Sequence, residues 1–341
     1  MTLYAQRLTS QLLAGPPGQD PVAVAERLLA IQAQDPRGAR LAIRARSTGG
    51  SVADIERAFT QDRSLLVTWL NRGTLHLVRS EDYPWLHALT APRLPTAIAR
   101  RLSQEGVTAE SAERGIAVIG HALAEEGPLD RNRLRARVAA AGIRTKGQAF
   151  VHLLALASLR GLIVRGPTRG GQHLFVLVRD WLHQSISRFQ RDVALTELAR
   201  RYLAGHGPAD DRDLARWSGL PLRDARAGLD AIASELNERD NGLVDLKRRA
   251  PTAPLPAPRL LGPFEPILLG WKSREQVLGN AERLVVSGGI FRPFALVRGR
   301  PVATWTISRQ RVELQAFAPL ARADRQMLDA DARDVMRFLA S

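Results

Sequence analysis

Residues 32–35 of this 341-residue chain read Gln32-Ala33-Gln34-Asp35, followed by Pro36. Each glutamine amide offers a carbonyl acceptor and an NH₂ donor. A neutral amide is a weak base, so such a pair suits the positioning of a water or polar ligand better than its deprotonation. Asp35 is the nearest carboxylate and a rival general base. Its other role is to cap the turn beside Pro36. The tripeptide ends an amphipathic helix expected over residues 21–34, with Val24, Ala25, Leu28 and Ile31 on one face. Pro36 disfavours the α conformation at Asp35. Residues two apart on a regular helix point to nearly opposite faces. Gln32 and Gln34 therefore converge only if the helix end unwinds or if they reach round a terminus. Two solvated polar residues at a helix end also satisfy the spacing.

Most other chemistries lose support. The sequence has no GxxxxGK[ST] or GxGxxG phosphate loop, no HExxH and no GxSxG elbow. It has no cysteine, and its seven histidines are scattered. That removes disulfides, thiolate metal sites and cysteine nucleophiles, fits a reducing cytoplasm, and leads us to expect no metal and no cofactor.

The formal net charge is +15, and all but three of the 49 basic residues are arginine. A GC-rich genome explains arginine over lysine but not the excess over acids. A polyanion partner explains the excess, because clustered cations gain affinity by releasing phosphate counterions. The stretch from Met1 to Gln11 lacks the continuous apolar core of a signal peptide. The longest apolar run, around residues 151–159, is far short of the roughly 20 residues a membrane span needs. A cytoplasmic, nucleoid-associated protein with no membrane contact is expected.

The elements that must carry these residues are organised by an internal repeat. Gly127-Pro128-Leu129-Asp130 with Leu134 recurs as Gly207-Pro208-Ala209-Asp210 with Leu214, at an offset of 80 residues. In each copy a helix precedes the Gly-Pro break (109–126 and 192–204) and a short helix follows it (130–140 and 210–218), with Asp130 and Asp210 as N-caps. A third helix comes next, at 148–159 and 222–232. The first copy then shows β-type runs at 162–164 and 173–178, with Gly166, Pro167, Gly170 and Gly171 in the turn; the second shows a shorter one at 243–246. Three helices and a β-hairpin form the winged-helix plan. A looser third copy lies in the first hundred residues. It has a helix at 51–59 capped by Ser51, a hairpin of 65–70 and 74–78 turning at Asn71-Arg72-Gly73, and a helix opening at Ser80-Glu81-Asp82.

Pro251, Pro254, Pro256 and Pro258 mark a linker. Strands are expected beyond it at 284–286, 290–297, 302–307 and 312–317, turning at Gly288-Gly289 and Arg298-Gly299-Arg300, before a helix over 321–340. The fold class is therefore α+β, mainly helical. It comprises winged-helix modules over 1–105, 106–186 and 187–250 and a β-rich C-terminal module over 251–341.

Three stretches carry a family resemblance. They are Leu28-Leu29-Ala30-Ile31-Gln32-Ala33-Gln34-Asp35-Pro36-Arg37, Thr68-Trp69-Leu70-Asn71-Arg72-Gly73-Thr74-Leu75-His76-Leu77-Val78, and Leu261-Gly262-Pro263-Phe264-Glu265-Pro266-Ile267-Leu268-Leu269-Gly270-Trp271. In that order they resemble the AlkZ/YcaQ family of bacterial DNA glycosylases over essentially the whole chain. The resemblance implies a C-shaped protein of three tandem winged helices that removes N-alkylated purines from double-stranded DNA, some members also unhooking interstrand crosslinks made by genotoxic natural products. It places the catalytic motif, Gln, an apolar residue, then Gln or Asp, on Gln32, Ala33 and Gln34. Arg72 and His76 of the first hairpin become candidates for phosphate or lesion-strand contact, with packing as the alternative for His76. Lys272 and Arg274 are backbone-contact candidates. Arg298 and Arg300 could form a DNA-probing hairpin or a solvated turn. Trp69 and Trp271 are expected in the core. The competing function is a non-catalytic winged-helix regulator; regulators usually dimerise, whereas fused modules without a dimerisation helix point to a monomer. An RNA-modifying protein is a third class without direct support.

Overall fold

The computed structural model describes residues 2–182 and 189–341. The boundary expected between residues 186 and 187 lies outside the described residues. The chain forms two compact units, one of Met1–Ile55 with Leu195–Ser341 and one of Glu56–Ala194. Both mix helices with antiparallel strands, so the α+β class holds. Among the described residues no helix is long and apolar enough to cross a membrane.

In the unit Glu56–Ala194, four strands pair antiparallel in the order Thr74–Arg79, Leu65–Leu70, Ile163–Arg169, Gln172–Leu177. Leu65–Leu70 is buried along its whole length, so its alternating side chains pack on both faces. The helix Ala149–Leu159 packs against it and against Pro95–Gln104. Nine of its eleven residues are buried, as befits a helix apolar all round. The first repeat copy sits here. Thr108 caps Ala109–Glu126, Gly127 ends that helix at positive φ, and Leu129 makes a one-residue antiparallel bridge to Phe175. Asp130 then caps Arg131–Ala140 by accepting from Asn132 N and Arg133 N. The first hairpin turns through Asn71 and Gly73, both at positive φ, where glycine is favoured.

The second copy lies in the other unit from Leu195 onward and follows the same order. Arg191–His206 leads to a bridge between Ala209 and Val244, then Asp211–Ser218, Leu222–Ala231 and the hairpin of Leu236–Glu238 with Val244–Leu246. Asp210 and Asp213 form a reciprocal capping box. The same unit holds a four-stranded antiparallel sheet in the order Arg311–Ala316, Arg300–Ser308, Phe294–Val297, Arg259–Leu261, with the helix Arg322–Ala340 against it. Residues 251–257 carry no regular structure, as the prolines predict.

Four expectations need correction. The helix expected over 21–34 is Pro21–Leu28 only. Leu284 belongs to the short helix Glu282–Val285 and not to a strand. The strand expected over 290–297 is split into Ile290–Phe291 and Phe294–Val297 at Pro293, which has no N–H to offer a ladder. Gly166 and Pro167 lie inside the strand Ile163–Arg169, at a register shift between Arg165 and Thr168; the turn is made by Gly170 and Gly171.

Candidate functional site

The glutamine motif sits on a segment shaped at both ends. After Leu28 the backbone of Leu29 takes φ 63°, ψ −47°, and Ala30 N donates to Leu28 O at 2.7 Å. This is a γ-turn of the rare, strained hand, and a leucine adopts it only where the surroundings impose it. The surroundings are visible. A Cβ placed on Gly205 would lie 2.2 Å from Arg27 O, so Arg191–His206 packs backbone to backbone on the helix end. Arg201 fixes the same place by donating to Glu26 O at 2.8 Å. Ile31–Gln32 then runs extended. Gln32 is buried at 8% exposure beside buried Ala33, whereas Gln34 is exposed. The unwinding that convergence of the two amides requires therefore starts at Leu29, ahead of the motif.

Asp35 closes the segment. Its Oδ1 accepts from Gly38 N at 2.8 Å, capping the helix Pro36–Arg44, in which Pro36 occupies the first turn. The carboxylate thus has a structural task. The helix start docks on the third motif: a Cβ on Gly38 would lie 2.4 Å from Pro263 O, and one on Gly262 would touch Leu41 and the Gly38 carbonyl. Further along, Arg46 and Glu265 form an ion pair with both side chains fully buried. Arg46 also donates to Gln11 O at 2.7 Å and Ala42 O at 2.9 Å. The other end of the motif is tied down by Trp271, whose Nε1 donates to His206 O at 2.9 Å, and by Tyr202, whose OH donates to Gly270 O at 2.8 Å. The third motif therefore braces the helix that follows the glutamines.

The candidate DNA contacts are divided between the two units. Lys272 is ion-paired with Asp210. Arg274 donates to Leu268 O at 3.0 Å and lies 5.0 Å over the Phe291 ring. Arg300 donates to Gln276 O at 2.8 Å and lies over Tyr4. Arg298, at positive φ in its turn, pairs with Asp324 at 3.2 Å, and its side chain is 74% exposed. In the other unit Arg72 sits in the hairpin turn, and His76 is buried with Nδ1 2.9 Å from Thr74 O. Burial above all, and then the Arg72 charge, lower the His76 pKa to about 3. The ring is neutral at neutral pH, Nδ1–H donates to the carbonyl, and Nε2 is left as an acceptor. Trp69 and Trp271 are core, each 5% exposed. Sequence reasoning missed the Leu29 turn and the Arg46–Glu265 pair. Glu265 lies inside a quoted motif, but nothing local signals its distant partner.

The family described as DNA glycosylase AlkZ-like matches residues 25–338. An interstrand DNA cross-link repair glycosylase of Streptomyces sahachiroi is 28% identical, the match covering 98% of this chain and 95% of that protein. The solved structure of the Streptomyces sahachiroi DNA glycosylase AlkZ superposes with a TM-score of 0.76 at 26% identity, over 98% of this chain and 95% of that one. The chain belongs to the AlkZ-like family of DNA glycosylases.

Proposed function

We propose that this glycosylase excises N-alkylated purines, N7-guanine and N3-adenine adducts, from double-stranded DNA as a monomer without a metal or cofactor. Bulky adducts and interstrand crosslinks are included, a reading supported by the cross-link repair role in the name of the Streptomyces sahachiroi relative. The substrate purine carries positive charge, so it leaves readily and little general acid is needed. The sugar passes through an oxocarbenium-like state. Water adds to C1′ as the N-glycosidic bond breaks, the bond electrons neutralise the departing base, and the proton that the water loses passes to solvent.

The observation that carries this reading is the build of the motif. Buried Gln32 and exposed Gln34 sit on a segment fixed by the Leu29 turn, while Asp35, the nearest carboxylate in sequence, is engaged in capping. In this reading the amide carbonyls hold the water and an NH₂ group anchors to DNA, so catalysis rests on position. The two repeat copies serve as winged-helix modules, each with helix, bridge, capped helix, helix and hairpin, and the N-terminal hundred residues as a third. The modules span 1–105, 106–186 and 187–250, with 251–341 as the β-rich addition. Arg298, an exposed candidate cation, contacts phosphate.

Single-turnover excision from duplex DNA bearing N7-methylguanine tests the proposal. Gln32→Ala and Gln34→Ala should each slow base release, the more important amide by on the order of 10²-fold. Binding should hold, since neither side chain carries charge, and a thermal melt shows that the variants fold. EDTA should leave the rate unchanged. Asp35→Asn keeps a capping acceptor and should retain activity. If Asp35→Asn abolishes release while both glutamine variants keep wild-type rates, the carboxylate carries the chemistry. Tight binding to one operator sequence with no base release would establish a regulator instead.

A further inference from the structure

Arg165 lies in the strand Ile163–Arg169, facing Phe175 on one neighbouring strand and Val67 on the other. Its guanidinium carbon is 5.0 Å from the Trp69 ring centre and 5.2 Å from that of Phe175. The aromatic rings hold the planar group in place and leave it little freedom. Nε is buried with no hydrogen-bond partner. Among the described residues the side chain has no carboxylate within ion-pair distance. Burial lowers its pKa to about 10, and the neighbouring charge of Arg131, another cation, pushes the same way.

Such a group is expensive. A partly buried charge without a counter-charge is normally paired or removed. The carboxylates near Arg131 are already in use. Asp130 accepts from Asn132 N and Arg133 N, and Glu126 is bound by Arg133 and Arg137. The backbone explains how the two cations meet. Leu129 bridges Phe175, and Phe175 pairs with Arg165, so Arg131, two residues past the bridge, arrives at the hairpin. It is also the first residue of the helix Arg131–Ala140.

We propose that Arg165 and Arg131 form a binding site for a phosphodiester of the DNA backbone. The missing counter-charge is supplied from outside the chain: one phosphate neutralises both cations, the rigid Arg165 fork giving direction and Arg131 giving reach. The site lies on the hairpin and capped helix of the first repeat copy, elements that face nucleic acid in winged-helix proteins. The inference rests on DNA being the partner but not on the glutamine chemistry.

The test is binding of the full chain to an undamaged duplex by fluorescence anisotropy between 50 and 200 mM salt, together with thermal melts of the free protein. Arg165→Gln should lower the slope of log K against log salt by about 0.9, the loss of one phosphate contact, so that it loses about 3–4-fold less affinity over that range. Its melting midpoint without DNA should hold or rise, because a poorly compensated cation is gone. Arg131→Gln, at the exposed helix start, should lower the slope likewise with no change in midpoint. Arg165→Lys keeps the charge without the fork and should bind more weakly than wild type while retaining most of the slope. An unchanged slope for Arg165→Gln overturns the proposal; if the midpoint falls as well, Arg165 is a packing residue. If inorganic phosphate raises the wild-type midpoint but not that of Arg165→Gln, with the duplex slope unchanged, the site takes free phosphate, which also overturns it. None of these readouts involves base release, so failure of the glutamine proposal leaves the result interpretable.

Discussion

The two copies of the Gly-Pro repeat share an order of elements and a capping aspartate, yet their equivalent positions carry opposite chemistry. At the offset of 80 residues, Arg131 and Arg133 correspond to Asp211 and Asp213, and Glu126 and Arg137 to His206 and Trp217. In the first copy Glu126 and Arg137 form an ion pair at 2.8 Å. In the second His206 and Trp217 are buried rings with centroids 5.2 Å apart, and the Trp271 ring lies 6.0 Å from His206. Asp213 completes the capping box, pairs with Arg7 at 3.2 Å and accepts from Lys272 N at 3.0 Å. The second copy thus uses its acids on cations of its own unit, and through Gly205 and Arg201 it shapes the segment bearing Gln32. Among the described residues, the first copy leaves Arg165 and Arg131 without an acid at ion-pair distance. One plan has become a scaffold for the candidate site, the other a cationic face.

The largest difference should appear at the paired positions Asp213 and Arg133. Burial raises the Asp213 carboxyl and lowers the Arg7 guanidinium from their ordinary values, so each pays for leaving water. Removing one partner leaves the other charge buried and alone. Asp213→Ala should therefore cost about 3–5 kcal/mol in urea unfolding. Arg133→Ala, whose side chain is 53% exposed, should leave the midpoint where it is. Equal losses would show that the copies are not divided in this way.

Gly205 and its equivalent Glu125 come next. An alanine Cβ at 205 meets the Arg27 carbonyl, and overpacking of this kind costs about 1–3 kcal/mol. Because the displaced backbone leads into Leu29 and Gln32, Gly205→Ala should also slow base excision at saturating protein. Glu125→Ala should change neither. An excision rate that survives Gly205→Ala would detach the second copy from the site.

A smaller effect separates His206 from Glu126 through pH. Burial lowers the His206 pKa to about 3, with the charges of Arg46, Arg7 and Arg249 adding to it. The unfolded chain binds a proton near pH 6.5 that the folded chain refuses, so this stability is present above that pH and is lost as pH falls toward 3. Between pH 6.5 and 5.5 wild type should lose stability to several such histidines, including His76 and His87. His206→Gln should reduce the slope by one proton, about 1.4 kcal/mol per pH unit at most. An unaltered slope would mean that the ring is protonated in the folded state.

How far these contrasts are legible in the sequence depends on where each signal lies. Ala109–Glu126 is readable to the residue because Thr108 and Gly127, its cap and its stop, are neighbours in the chain. The end of Pro21–Leu28 is not. Leu29 is a good helix former, and what unwinds it is Gly205, far away in sequence. The Gly-Pro-x-Asp repeat is visible as text, and so is the charge inversion at 131 and 133. That Arg165 is held by the Trp69 and Phe175 rings, with no acid at ion-pair distance among the described residues, follows only from the tertiary structure. The glutamine pair is legible as a motif, but the burial that distinguishes Gln32 from Gln34 is set by tertiary packing.

The smallest effect on stability should come from Glu126, and it bears most directly on the cationic face. Hydrogen bonding to Arg137, and secondarily the charges of Arg137 and Arg133, hold the Glu126 carboxyl below its usual value. The pairs are solvent-exposed on the arginine side, where salt and side-chain entropy consume most of the attraction. Glu126→Gln should leave the urea midpoint unchanged. It should nevertheless alter DNA binding, because it releases Arg133 and Arg137 on the helix that starts with Arg131. If that helix faces the duplex, the freed cations find phosphates, and the slope of log K against log salt becomes steeper in the variant. If the slope is unchanged while Arg165→Gln still lowers it, the phosphate lies at the hairpin alone and the cationic face is narrower than the repeat. A midpoint that falls with Glu126→Gln would mean instead that the first copy, like the second, depends on its internal ion pairs, and the contrast between the copies would fail.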